Sequence, residues 1–75
     1  MNAPPTIRHE REGLVELTVR QWAAVRALSI GYQWIDRRDG AQLFLLGLAY
    51  KAAEGFKPTQ AALALLEPWY EDMAR

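Results

Sequence analysis

AQLFLLGLAYKAAE, residues 41–54, is the most apolar stretch of this 75-residue chain. Its only charged residues are Lys51 and Glu54. At 100° per residue, the large side chains between Leu43 and Leu48 fall on all sides of a helix, which is typical of a helix that is buried all round. The stretch therefore predicts the middle helix of an all-α domain, packed between a helix before it and a helix after it.

Capping signals set the expected ends of this middle helix. Asp39 followed three residues later by Gln42 matches the start of a helix, and Gly55 suits a left-handed residue after its end. Gly47 then lies in the helix interior, where glycine costs up to about 1 kcal/mol relative to alanine. Close approach of a neighbouring helix at Gly47 would offset that cost.

A first helix is predicted to run from Thr18 to about Asp36. Thr18 and Gln21 form a capping-box pattern, in which each side chain satisfies a free backbone amide of the other residue. Leu17 before the cap and Trp22 after it fit a hydrophobic staple. The helix carries two apolar faces, so it is expected to contact neighbours on two sides.

A third helix is predicted from about Pro58 to Leu66. Pro68 lacks the amide that would bond to the carbonyl of Ala64, so it either kinks this helix or begins a short fourth one over residues 68–74. The expected fold is therefore a small bundle of three or four helices.

Residues 1–13 are predicted to form a flexible tail ahead of a single helical domain over residues 14–75. Pro4 and Pro5 prevent regular helix, and the charged run that follows offers little to bury. His9, the only histidine, is expected to be solvated, since no second metal ligand lies near it in sequence. Whether the tail orders on binding a partner is left open.

Charge and composition limit the possible partners. Nine basic residues balance nine acidic ones, so the formal net charge is zero. Binding to nucleic-acid phosphates needs a concentrated positive charge, so nucleic-acid binding is not expected. Residues 41–53 are too few to span a bilayer, and the N-terminal residues lack the apolar run of a signal peptide. There is no cysteine. A cytoplasmic protein without a membrane span is expected.

The sequence contains no pattern that predicts catalysis. Ser29 is the only serine and has no histidine near it, and the five glycines are too dispersed for a phosphate loop. The carboxylates of residues 67, 71 and 72 suit the solvated face of an amphipathic helix better than acid–base chemistry. No enzyme activity, cofactor or metal is expected.

The pair Leu46–Gly47 is followed three residues later by Tyr50, with Leu43 ahead of it, Phe56 in the expected turn and Leu63 beyond. Over residues 43–68 this pattern resembles the helical hairpin of a tetratricopeptide repeat, although Gly55, Thr59 and Pro68 depart from it. Small proteins of this kind include export chaperones of bacterial type III secretion. The resemblance implies a groove that receives an amphipathic helix.

The apolar content, 51% of the residues, exceeds what one small core can hide. The sequence therefore predicts a protein-binding module, such as an adaptor, small chaperone or inhibitor, that buries an apolar helix of a partner. The alternatives are a structural homodimer and a small helix-turn-helix DNA-binding regulator. The expected contact residues are aromatic or large and apolar: Trp22, Trp34, Phe44, Leu48, Trp69, Tyr70 and Met73.

Overall fold

The structure, a computed structural model, describes residues 4–73. This part of the chain forms three helices and two β-hairpins, so the fold is α+β and the all-α prediction of a helical bundle is wrong. The elements in chain order are β1 (Thr6–His9), β2 (Gly13–Glu16), α1 (Val19–Ser29), α2 (Arg37–Leu45), β3 (Ala49–Ala52), β4 (Gly55–Pro58) and α3 (Gln60–Met73).

Each hairpin is a separate two-stranded antiparallel sheet. β1 pairs with β2, with Ile7 opposite Val15. β3 pairs with β4, with Ala49 opposite Pro58. A two-stranded hairpin alone is marginally stable in water, so both hairpins depend on the apolar residues that they contribute to the core.

Helix α1 is the centre of the fold, because it contacts α2, β4 and α3. Its Val25 is fully buried, and Leu28 and Trp22 are nearly so. β1, α2, β3 and α3 also contribute buried residues, while β2 and β4 pack against the core with partly buried Val15 and Phe56. The core consists of Ile7, Leu17, Trp22, Ala24, Val25, Leu28, Leu43, Leu48, Ala49, Ala62 and Leu66. None of the helices within residues 4–73 has the length and apolar character needed to cross a membrane.

The stretch 41–54 is not one helix, contrary to prediction. Only its first five residues are helical, as the end of α2, and the rest forms β3 and the turn into β4. The helix ends because Gly47 adopts a φ of 76°, a left-handed conformation that glycine adopts without strain. Leu48 then turns into the core, while Leu45 on the last turn of α2 is 71% exposed.

Helix α1 ends in the same way, seven residues before the predicted end at Asp36. Gly31 has a φ of 92°, and its amide donates to the Leu28 carbonyl at 3.1 Å. The next amide, that of Tyr32, donates to the Ala27 carbonyl at 3.1 Å. These two bonds form a Schellman motif, which satisfies two of the last carbonyls of the helix.

Helix α2 begins at Arg37, four residues earlier than the predicted start at Ala41. Its N-cap is Asp36, whose carboxylate accepts from the Arg38 amide at 2.7 Å. Asp39, the predicted cap, instead accepts a hydrogen bond from Arg20 Nε at 2.8 Å across the α1–α2 interface. This hydrogen bond to a carboxylate raises the pKa of the exposed Arg20 guanidinium.

The close approach predicted at Gly47 occurs at Gly40. A side chain at Gly47 would meet nothing within 4 Å, whereas a Cβ at the buried Gly40 would overlap the ring of Phe56. Phe56 lies on β4 and packs against the core, so a β-hairpin rather than a helix presses on α2 at this point.

Helix α3 is a single helix that contains Pro68, so no fourth helix begins there. Its start is capped by Thr59, whose Oγ1 accepts from the Ala62 amide at 3.3 Å. Between α2 and α3 lies the β3–β4 hairpin. Residues 43–68 therefore do not form the helical hairpin that the resemblance to a tetratricopeptide repeat implied.

Part of the segment predicted to be a tail carries regular structure. Thr6–His9 forms β1, Ile7 reaches the core, and the Leu17 amide donates to the Pro5 carbonyl at 3.0 Å. The flexibility of residues 1–13 stays a prediction, but from residue 4 onward the first regular element is the strand that begins at Thr6.

The capping box at the start of α1 is confirmed. The Gln21 amide donates to Thr18 Oγ1 at 3.0 Å, and the Thr18 amide donates to Gln21 Oε1 at 2.9 Å. We expect Thr18→Ala to lower the free energy of unfolding by about 1 kcal/mol, because an unpaired amide remains at the helix start. Urea denaturation measures this change, and Gln60→Ala, at an exposed position of another helix, is the control. Equal midpoints for the two variants would contradict the prediction.

Candidate functional site

An open cleft of about 980 Å³ lies between the tip of the β1–β2 hairpin and the C-terminal end of α2. We call it the hairpin cleft. One side is charged and the other is mainly apolar, with two glutamines between them. Its lining residues are Arg8, His9, Glu10, Arg11, Glu12, Val15, Gln21, Gln42, Phe44, Leu45, Leu46, Gly47 and Ala61.

The apolar side is built by the last turn of α2. The Gly47 amide donates to the Phe44 carbonyl at 3.0 Å, and the Leu48 amide donates to the Leu43 carbonyl at 2.8 Å, which is a second Schellman motif. Leu43 and Leu48 lie in the core and Leu46 packs partly buried against it, so Phe44 and Leu45 are the large side chains of this turn that face outward. Phe44 is 57% exposed and Leu45 is 71% exposed. The helix end thus places two large apolar side chains in contact with solvent.

His9 joins the two sides of the hairpin cleft. Its Nδ1 accepts from the Arg11 amide at 3.2 Å and from the Glu12 amide at 3.3 Å, while its Nε2 lies 3.0 Å from the Leu45 carbonyl oxygen. One tautomer fits all three contacts, with the proton on Nε2 donated to Leu45. His9 therefore closes the hairpin loop and binds the end of α2 at the same time.

Three further hydrogen bonds connect the elements around the hairpin cleft. Gln21 Nε2 donates to Gln42 Oε1 at 3.2 Å, which links α1 to α2 beside the cleft. Thr59 Oγ1 donates to the Gly47 carbonyl at 2.7 Å, and the Thr59 amide donates to the Leu48 carbonyl at 3.1 Å. The start of α3 is therefore anchored to the end of α2 on the apolar side of the cleft.

The predicted contact residues are divided between surface and core. Phe44 lines the hairpin cleft, and Trp34 is 68% exposed in the segment between α1 and α2. Trp22 and Leu48 belong to the core, at 4% and 2% exposed. Trp69, Tyr70 and Met73 lie in α3, but their side chains are outside the described part of the structure.

Trp22 is the most informative of these placements. It was expected either to staple the helix start or to anchor a partner, and the structure buries it together with Leu17 in the core. The Arg26 guanidinium lies 5.9 Å from the centre of the Trp22 ring, close enough for a cation–π contact. Trp22 therefore offers no free surface to a partner in this structure.

Sequence reasoning missed His9 and Leu45 as site residues. The sequence predicts a solvated His9 because its own segment holds no partner for it. Its partner on α2 lies 36 residues away. The sequence also predicts a buried Leu45, because the apolar pattern of a helix continues past Gly47. The glycine followed by an apolar residue, as in Gly47–Leu48, is the signal that would have placed Leu45 on a last, exposed turn.

The chemistry of the hairpin cleft suits binding. Both ring nitrogens of His9 are already engaged, and the other charged lining residues, two arginines and two glutamates, lie at the exposed hairpin tip. Among the described side chains, no group of three histidine, aspartate or glutamate residues is placed to hold a metal ion. Compared with protein-family models, curated proteins and solved structures, the chain has no significant match.

Proposed function

We propose that this chain is a non-enzymatic, cytoplasmic protein-binding module that takes an apolar helix of a partner protein into the hairpin cleft. The observation that carries the proposal is the exposure of Phe44 and Leu45 on one side of a cleft. Adjacent large apolar side chains that remain in water favour association, at about 25 cal/mol for each Å² that is buried.

The size of the hairpin cleft agrees with a helical occupant. An α-helix with its side chains is about 10–12 Å wide and rises about 5.4 Å per turn, so 980 Å³ corresponds to roughly two turns. Two turns present three or four apolar residues at helical spacing, which is the usual set of anchors for a helix in a groove.

The charged side of the cleft would orient this occupant. Arg8 and Arg11 alternate with Glu10 and Glu12 at the hairpin tip, so the local formal charge is balanced. Balanced charges attract no single class of polyion, but they favour a partner helix with complementary charges beside its apolar stripe. We therefore propose an amphipathic partner helix that carries both acidic and basic residues.

Site-specific photo-crosslinking in the native host tests the proposal. Benzoylphenylalanine replaces Phe44 in one variant and Tyr50 in the control variant, because Tyr50 is an aromatic residue of β3 that is 47% exposed and does not line the hairpin cleft. We expect a discrete covalent adduct with a different protein at position 44 and none at position 50. The crosslinked peptide of the partner should map to an amphipathic helix.

Leu45→Asp is expected to abolish at least nine-tenths of this adduct, because it places a charge on the apolar side of the cleft. The free energy of unfolding should change by no more than about 0.5 kcal/mol, since Leu45 is exposed. Urea denaturation of the purified variant checks its stability. Adducts only between two copies of this chain would replace the proposal with the homodimer alternative, and absence of an adduct at position 44 would refute the proposal.

A further inference from the structure

We infer that His9 is a positioning residue of the hairpin cleft: its Nε2 bond to the Leu45 carbonyl holds the β1–β2 hairpin against the end of α2, where the hairpin forms one side of the cleft. This role in partner binding rests on the proposed function. The role in holding the hairpin depends only on the contacts of the hairpin, of His9 and of the α2 terminus.

The hairpin has little else to hold its tip. β1 and β2 make their extensive contacts only with each other among the described elements. Their core residue Ile7 and the following Leu17 lie at the base of the hairpin, while Arg8, Glu10 and the other residues toward the tip are largely exposed. Within residues 4–73, the tip is joined to another element by one hydrogen bond, the one from His9 to Leu45.

The α2 terminus supplies an acceptor that would otherwise lack a partner in the helix. The Schellman motif satisfies the carbonyls of Leu43 and Phe44 and leaves that of Leu45 without an intrahelical donor. His9 Nε2 fills this position at 3.0 Å. The two bonds that Nδ1 accepts from the hairpin loop keep Nε2 as the donor and fix the ring direction.

His9 therefore carries out two separable tasks, a loop cap through Nδ1 and a latch through Nε2. Two substitutions separate these tasks, because their polar atoms lie at different numbers of bonds from Cα. The amide oxygen of asparagine is as many bonds from Cα as Nδ1 is, so His9→Asn keeps the loop cap but is too short to reach Leu45. The amide nitrogen of glutamine is as many bonds from Cα as Nε2 is, so His9→Gln keeps the latch and loses the loop cap.

The test uses the full chain with a nitroxide on a cysteine at position 10, which is a unique label because the chain has no cysteine of its own. Broadening of the amide signals of residues 45–47 reports the closed hairpin, and the carbonyl ¹³C shift of Leu45 reports the latch bond. For His9→Asn we expect a changed Leu45 shift and weaker broadening, with the open population raised about 2- to 10-fold, the typical effect of one net hydrogen bond. For His9→Gln both signals should match those of the wild type, while the Arg11 and Glu12 amides exchange faster with solvent.

Equal broadening in the wild type and both variants would overturn the inference, because the hairpin would then stay closed without the Nε2 bond. An equal loss of broadening in both variants would also overturn it, because retaining the Nε2 bond in His9→Gln would then not keep the hairpin closed. The photo-crosslink at position 44 separates this failure from that of the proposed function. A yield that falls in His9→Asn and is retained in His9→Gln supports both. If His9→Gln retains the broadening and His9→Asn loses it, but the wild type gives no crosslink at position 44, the role of His9 is supported and the protein-binding function is refuted.

Discussion

Leu43→Ala is expected to lower the free energy of unfolding by about 2–5 kcal/mol, the range for removing a leucine side chain from a packed core. Leu43 is fully buried and forms part of the Schellman motif that ends α2. A domain of this length has a total stability of about 4–11 kcal/mol, so the loss is a large fraction of it. The variant should show a clearly reduced urea midpoint, or no folded baseline at 37 °C.

Phe44→Ala is the matched control for this prediction. The neighbouring side chain is larger but 57% exposed, so its removal should cost much less than that of Leu43. If both variants lost the same free energy of unfolding, Leu43 would not be the buried residue and Phe44 the exposed one, contrary to the end of α2 described above.

Gly40→Ala is expected to lower the free energy of unfolding by up to about 2 kcal/mol, although alanine is the better helix former. The propensity gain is about 1 kcal/mol, whereas forcing a methyl group into a packed contact costs typically about 1–3 kcal/mol. The contact in question is the ring of Phe56, which the new Cβ would overlap. Calorimetric or denaturant unfolding of the variant measures the net effect.

Two companion variants separate the opposing effects at Gly40. Ala41→Gly, at the exposed next position of the same helix, measures the propensity difference without a packing change. Phe56→Leu combined with Gly40→Ala should recover part of the loss, since the smaller side chain leaves room, and the two substitutions should be non-additive by about 0.5 kcal/mol or more. Steric conflict with Phe56 would be excluded if Gly40→Ala were more stable than the wild type. It would also be excluded if the changes in the free energy of unfolding caused by Gly40→Ala and Phe56→Leu were fully additive.

The start of α1 could be read from the sequence because its signals are local. Thr18 and Gln21 satisfy each other's amides within four residues, and no distant contact is needed. The end of α2 is different, because an apolar run such as Leu43–Tyr50 fits either a buried helix or a helix followed by a buried strand. Ala52 and its neighbours Lys51 and Glu54 favour helix by propensity, yet the chain forms a hairpin there, since tertiary packing overrides weak local preferences.

The candidate site was predictable only in part. Phe44 was predicted as a residue that contacts a partner, and it is 57% exposed and lines the hairpin cleft. Its contact with a partner stays a prediction. The charged side of that cleft was not predictable, because it depends on how the β1–β2 hairpin folds over α2. His9 and Leu45 are 36 residues apart, and nothing in either local sequence indicates the other.

The central position of α1 has a consequence for folding during synthesis. The three elements that contact it, α2, β4 and α3, all follow it in the chain. Leu66 of α3 is fully buried, so the core cannot close until that residue has left the ribosome. Until then Val25 and Leu28 remain without much of their native packing, and the growing chain exposes the apolar surface that makes incomplete folds prone to aggregate. Release of α3 from the ribosome, rather than formation of α1, is therefore the step after which this core can close.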